Sequence, residues 1–208
     1  MQDALIATVF LDIDDVVCLS DPYGGYDAIE AVNSRRPDAD AVYTRLFAAD
    51  AVAALRQVHD SMGGRLRYVI SSTWREFLGL EQLQEVFRRS GLAFVSSNLH
   101  GADRWSTPIS GRSGRRADDI AAWLDRHHAG EPFAIVDDGF SGVSLAPALT
   151  VSSHPFFGRV VLCEEGVGLT PAHVQPIVAA LRGSPAGLAY RREPQQAADI
   201  HAPVAPAQ

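Results

Sequence analysis

Residues 5–15 read LIATVFLDIDD: an unbroken apolar, β-rich run that breaks into carboxylates at Asp12, Asp14 and Asp15. Such a run, with β-branched and aromatic side chains on consecutive positions, predicts a strand covered on both faces, the signature of a parallel sheet. The aspartates at its carboxyl end predict that the strand opens into a polar site. The same form recurs at Leu66–Ser72, Leu92–Ser96, Pro132–Asp137 and Arg159–Cys163, with a weaker instance at Ala148–Ser152. Amphipathic patterns lie between these runs. Val52, Leu55, Val58 and Met62 share one helical face closed by Gly63-Gly64, and Leu80, Leu83, Val86 and Phe87 share another before Gly91. Ile120, Trp123 and Leu124 form a third stripe. Thr170-Pro171 starts a fourth helix, ended at Gly183, in which Pro176 predicts a kink or a late start. Strands alternating with helices predict an α/β fold, a three-layer Rossmann-like parallel sheet with its site at the strands' carboxyl ends.

Two stretches break the alternation. Residues 18–48 are polar and irregular and predict a flap or small cap over the site, within a domain spanning 1–183. Residues 184–208, rich in Pro, Ala and Gln, predict a disordered tail. The 208 residues are 47% hydrophobic and 21% charged, enough for one full core. Cys18 and Cys163 suit a reducing compartment better than a disulfide scaffold. Met1 to Asp12 has neither a signal peptide's basic start nor the length of a membrane span, so the expectation is a cytoplasmic protein with no membrane partner. A net charge of -7 disfavours an extended nucleic-acid surface and leaves a phosphorylated small molecule, a nucleotide or a single nucleic-acid end as the ligand.

Asp12 and Asp14, at i and i+2 where the first strand ends, can turn towards one point and suit a nucleophile beside a proton donor. Phosphate-monoester hydrolysis needs a barrier lowered by ~20 kcal/mol or more, and splitting it through an aspartyl-phosphate makes each half easier. Asp137 and Asp138 end another apolar strand and would face the same crevice, a hard-oxygen set suited to Mg2+. Ser71, or Ser72 if the strand runs longer, stands where a hydroxyl and amides can hold a phosphate oxygen. Arg75 is placed to contact substrate or pair with a site aspartate, and Trp74 reads as packing. Arg115 and Arg116, in a basic loop ahead of a helix, offer a fixed cation, with either arginine a candidate.

Asp-x-Asp, Ser, a basic residue before a helix and Asp-Asp, in that order over residues 7–138, resemble the four motifs of the haloacid-dehalogenase-like superfamily. A closer resemblance is to the small domains of that superfamily found with Swiss army knife RNA-repair proteins. It rests on Ser71-Ser72-Thr73-Trp74-Arg75, Thr107-Pro108, Ile120 to Leu124, Asp137-Asp138 and Gly168-Leu169-Thr170, and reaches Arg182. The resemblance implies a magnesium-dependent phosphatase with Asp12 as nucleophile, Asp14 as acid/base and Ser71 on the phosphate. It also implies Arg115 or Arg116 in the role of the family's lysine, and Asp137 or Asp138 on the metal with Asp12 and the Asp14 backbone carbonyl. Arginine in place of lysine departs from the pattern. The alternatives are a non-catalytic module binding phosphate or magnesium, and a phosphotransferase passing the phosphoryl group to an acceptor other than water.

Overall fold

The fold is given by a computed structural model that describes residues 6–109 and 115–183. Four parallel strands, β1 (Ala7–Leu11), β2 (Leu66–Ile70), β3 (Phe133–Asp138) and β4 (Val160–Cys163), form one sheet in the order β2-β1-β3-β4. Every residue of β1 and β3 is buried, and alternate side chains feed two cores. Val9, Leu11, Ala134 and Val136 pack on one face, Phe10, Phe133 and Ile135 on the other. The uninterrupted apolar runs are therefore apolar for two layers at once, as expected for a central parallel strand.

The helices are α1 (Gly25–Val32), α2 (Ala39–Arg45), α3 (Ala49–Ser61), α4 (Leu80–Arg89), α5 (Ala93–Ser96), α6 (Arg116–His127) and α7 (Pro171–Leu181). α7 packs against α3 and β3, while Ile120, Trp123 and Leu124 of α6 cover the opposite face. The three-layer Rossmann-like α/β fold expected from the alternation is the fold observed.

Four local expectations need correction. Leu92–Ser96 is not a strand: it supplies the single turn α5. Its buried residues Leu92, Val95 and Leu99 recur at helical spacing, a period that a five-residue apolar run cannot display. The edge of β2 that a further strand would have covered is met by isolated bridges, Tyr68 with Leu99 and Ile70 with Ser106. Ala148–Ser152 likewise lies at the end of a 3-10 segment, Val143–Leu149, that buries Leu145 and Ala148 three residues apart. Residues 18–48 are not irregular, because they hold α1 and α2 and bury Ala28, Ala31, Val42, Tyr43, Leu46 and Phe47 in the core. Finally, α7 does not start late: it begins directly at Pro171 and includes Pro176. Pro176 and Ala172, whose carbonyl loses its partner, are both exposed, so water can take that hydrogen bond. The expected tail at 184–208 and Gly111–Gly114 of the basic loop lie outside the described residues.

Candidate active site

The strand register assembles the site. Leu11 lies opposite Ile70 on one side and Val136 on the other, so the next residues, Asp12, Ser71 and Asp137, stand side by side at the sheet's carboxyl edge. The Asp12 amide donates to the Val136 carbonyl at 3.0 Å and the Ser71 amide to the Leu11 carbonyl at 2.9 Å, which holds both residues to the sheet frame. Beyond Asp12 the chain turns sharply: the amides of Val16, Val17 and Cys18 all reach the Ile13 carbonyl. Asp15 takes a left-handed conformation (φ 51°), which aspartate tolerates better than most residues.

On this turn Asp14 is only partly buried, and both its carboxylate oxygens lie 3.0 Å from Trp74 Nε1, whose N–H donates to them. Trp74 is therefore more than packing. A Cβ added at Gly25 would fall 2.9 Å from that same nitrogen, so the absence of a side chain there lets α1 begin against the indole.

Asp12, Asp137 and Asp138 each bring a carboxylate oxygen within 4.8 Å of the others, and all three are buried. Among the described residues, one cation stands with them. Arg116, the first residue of α6 and 6% exposed, sets Nη2 at 3.2 Å from Asp12 Oδ1 and Nε at 2.9 Å from Asp137 Oδ2. The second contact is close but lacks hydrogen-bond geometry, so Asp137 Oδ2 is buried without a donor aligned on it among the described residues. Among the described residues one paired guanidinium faces three carboxylates, so the cluster, when ionised, carries more negative than positive charge. Buried hard-oxygen donors in excess of charge fit a divalent cation such as Mg2+ or Ca2+.

The protonation tendencies express the same imbalance. Burial pushes Asp12 from 3.8 up to about 7, against the pull of Arg116, the Ile13 amide and Ser72. Burial and then the neighbouring Asp12 push Asp137 well above the usual carboxylate range. Asp14 is raised by burial, opposed by the Trp74 N–H and reinforced by Asp15 and Asp138. Asp138 goes the other way. Burial would raise it, but the Ser141 hydroxyl and the Ser141 and Phe140 amides together hold it below the ordinary value. Those amides donate to its Oδ1 at 2.9 and 2.6 Å, and the Ser141 hydroxyl donates to Oδ2.

A folded-state pKa raised above the unfolded one means that the native state binds the extra proton, so stability falls as pH rises between the two values. The chain held in EDTA is accordingly expected to lose thermal stability from about pH 4 to about pH 7 through Asp12. Added magnesium should flatten that slope, and melting curves at unit pH intervals check it. A midpoint that climbs across this window in EDTA would contradict the charge imbalance.

Ser71 and Ser72 divide the roles left open between them. The Ser71 hydroxyl is buried beside Asp12 with no hydrogen-bond partner among the described residues, so its donor is available to a ligand. Ser72 caps the 3-10 turn Thr73–Glu76, accepting the Trp74 amide at 3.5 Å, and its hydroxyl also reaches Asp12. Arg75 turns inward, pairing with Asp119 of α6 at 2.8 Å and donating to the carbonyls of Thr107 and Ser72. Its aspartate partner is thus not one of the strand-end carboxylates. Arg115 is 61% exposed in its side chain and lies 4.0 Å from Asp118. Arg116 is the arginine brought to the site. The chain has no lysine at all: its 18 basic residues are all arginine.

Ser141 was not among the residues singled out from sequence. Its hydroxyl sits 3.4 Å from Asp12 Oδ2 as well as on Asp138. The signal was Asp138-Gly139-Phe140-Ser141-Gly142, in which a strand-end aspartate can accept from amides two and three residues on. Gly142 permits the loop to fold back, since a Cβ there would meet the Asp138 carbonyl oxygen at 2.5 Å.

A parallel sheet with Asp-x-Asp on the central strand, a serine on one neighbour, Asp-Asp on the other and a buried cation between them defines a haloacid-dehalogenase-like domain. The chain belongs to the family described as the HAD domain in Swiss Army Knife RNA repair proteins, whose model matches residues 8–174. No curated protein and no solved structure matches it. No helix among the described residues is long and apolar enough to cross a membrane.

Proposed function

We propose that this chain is a magnesium-dependent phosphomonoester hydrolase that works through an aspartyl-phosphate on Asp12. The observation that carries the reading is the split between its two leading carboxylates. Asp12 is locked to the sheet among Arg116, Asp137 and Asp138, while Asp14 stands beyond the turn, held by an indole N–H and inclined by burial to keep a proton.

In the first half-reaction an Asp12 oxygen attacks phosphorus, the bond to the leaving oxygen breaks, and Asp14 gives that oxygen its proton. In the second, the Asp14 carboxylate takes a proton from water as the water oxygen attacks phosphorus. Inorganic phosphate leaves and both carboxylates return to their starting states. Ser71 donates its unpartnered hydroxyl to a phosphoryl oxygen, and Arg116 offers guanidinium N–H groups in a buried setting where charge stabilisation is strong. Magnesium, held by Asp12, the strand-end Asp137 and Asp138 and the Asp14 carbonyl, would neutralise phosphate charge that otherwise repels the attacking carboxylate. Arg75 acts by positioning, tying the Ser72 backbone to α6.

The helical segment 18–48 serves as a small cap, since Tyr26 and Ile29 of α1 wall the space beside Asp14. The family's link to RNA repair supports nucleotides or nucleic-acid ends as the substrate class, and the acidic chain fits a cytoplasmic enzyme without an extended nucleic-acid surface. The test is phosphate release from a panel of phosphomonoesters with magnesium or with EDTA. Magnesium-dependent release is the expected result. Folded, magnesium-binding protein that releases phosphate from none of them would turn the reading to a binding module, and transfer to an alcohol acceptor in preference to water would turn it to a phosphotransferase.

A further inference from the structure

Two spaces lie beside the site, sharing Thr73 and Glu76, and they differ in chemistry. The smaller, about 360 Å3, is bordered by Arg116, Arg75 and Ser141, with Glu76 and Asp119 also on its lining. The larger, about 750 Å3, opens beside Asp14 and is of a size that takes a small organic ligand. Tyr26 and Ile29 of α1 form one wall, and Trp74, Glu76 and Phe77 form the other. None of the described residues lining it is basic; two, Asp14 and Glu76, are acidic. Tyr26 and Phe77 are 72% and 63% exposed, so two large aromatic side chains stand at this cavity uncovered by the fold.

Asp14 as proton donor fixes what enters the larger space. The leaving oxygen must lie at Asp14, and everything the leaving group carries must extend past it. Resting on the phosphohydrolase reading above, we propose that the leaving group is a nucleoside, seated with its base against Tyr26 and Phe77, and that it bears no further phosphate. A purine or pyrimidine offers a π-face to an aromatic wall whatever its sequence identity. Glycerol has no such face and would leave both rings in water. A second phosphate on the leaving group would meet Asp14 and Glu76 with no cation on the described lining to receive it, and like charges at short range repel. The pocket therefore fits a nucleoside monophosphate better than the phosphorylated end of a nucleic acid, whose next phosphodiester has to pass the same acidic wall.

The test is kcat/KM of the full chain with magnesium on adenosine 5′-monophosphate, glycerol 2-phosphate and a 5′-phosphorylated trinucleotide. The mononucleotide is expected to exceed glycerol 2-phosphate by about tenfold, the scale of one base stacked on an aromatic side chain, and to exceed the trinucleotide as well. Phe77→Ala and Tyr26→Ala should each cut the ratio of mononucleotide to glycerol phosphate several-fold, chiefly through KM, and Phe77→Tyr should restore it. Glu76→Gln should narrow the gap to the trinucleotide. A native ratio near one, a ratio unmoved by both alanine variants, or a preference for the trinucleotide would overturn the proposal. Release from no ester at all would defeat the hydrolase reading instead. Calorimetric titration with adenosine would then decide the pocket: binding weakened by Phe77→Ala keeps the assignment, and absence of binding ends it.

Discussion

Arg116→Met is expected to lower the stability of the chain in EDTA at pH 8 by about 3–5 kcal/mol, the usual cost of removing one partner from a buried ion pair. The loss should shrink towards pH 5, where Asp12, already raised to about 7 by its surroundings, takes up a proton and no longer needs a partner. Magnesium should return part of the stability, because a divalent cation compensates the same carboxylates. Denaturant unfolding at the two pH values, with magnesium or EDTA, measures all three effects. A loss under about 1 kcal/mol that does not vary with pH would mean that Arg116 is not what balances Asp12 and Asp137. Arg116→Lys should fall between, since one ammonium cannot address the Asp12 and Asp137 oxygens from the two ends of a planar fork. It would restore charge without restoring geometry.

Asp12→Asn should reduce phosphate release by at least about 10^3-fold, the scale on which loss of a covalent nucleophile acts. The fold should tolerate it. The asparagine keeps the volume and removes one negative charge from a cluster that carries too many, so stability in EDTA at pH 8 should hold or rise. Activity and stability measured on one preparation therefore move in different directions, a pattern that a merely structural aspartate would not give. Appreciable residual turnover on every substrate would shift the nucleophile to another group.

The central strands were legible because their side chains are apolar on both faces. LIATVFL and the run into Asp137 carry no competing period, so sequence and structure agree on β1 and β3 to within two residues at each end. Leu92–Ser96 was misleading for the opposite reason: five residues are too few to separate a buried turn of helix from a strand, and only the contact of Leu99 with the β2 edge discloses the geometry. α1 and α2 were hidden by polar residues on their outer faces, although Val42, Tyr43, Leu46 and Phe47 already stood at helical spacing. Within the site, carboxylates at strand ends were readable because strand direction and residue type together place them. The choice of Arg116 over Arg115 was not, because it depends on which residue of the first turn of α6 faces the sheet. Trp74 was read as filler since an indole is apolar over most of its surface. Its single N–H acquires meaning only when the turn after β1 brings Asp14 against it.

The amides of Asp12 and Ser71 are rungs of the same ladder that joins β1 to its neighbours. Their orientation towards a substrate is thus as persistent as the sheet, and local opening that spares the sheet cannot loosen it. Asp14, two residues further on, belongs to a reverse turn that answers to α1 through Trp74 and Gly25. On the proposed mechanism, the half of the site that would hold phosphorus and the half that would handle the proton are therefore clamped by different parts of the molecule, and a destabilising change on α1 is expected to blunt proton transfer while leaving the strand-end residues in place.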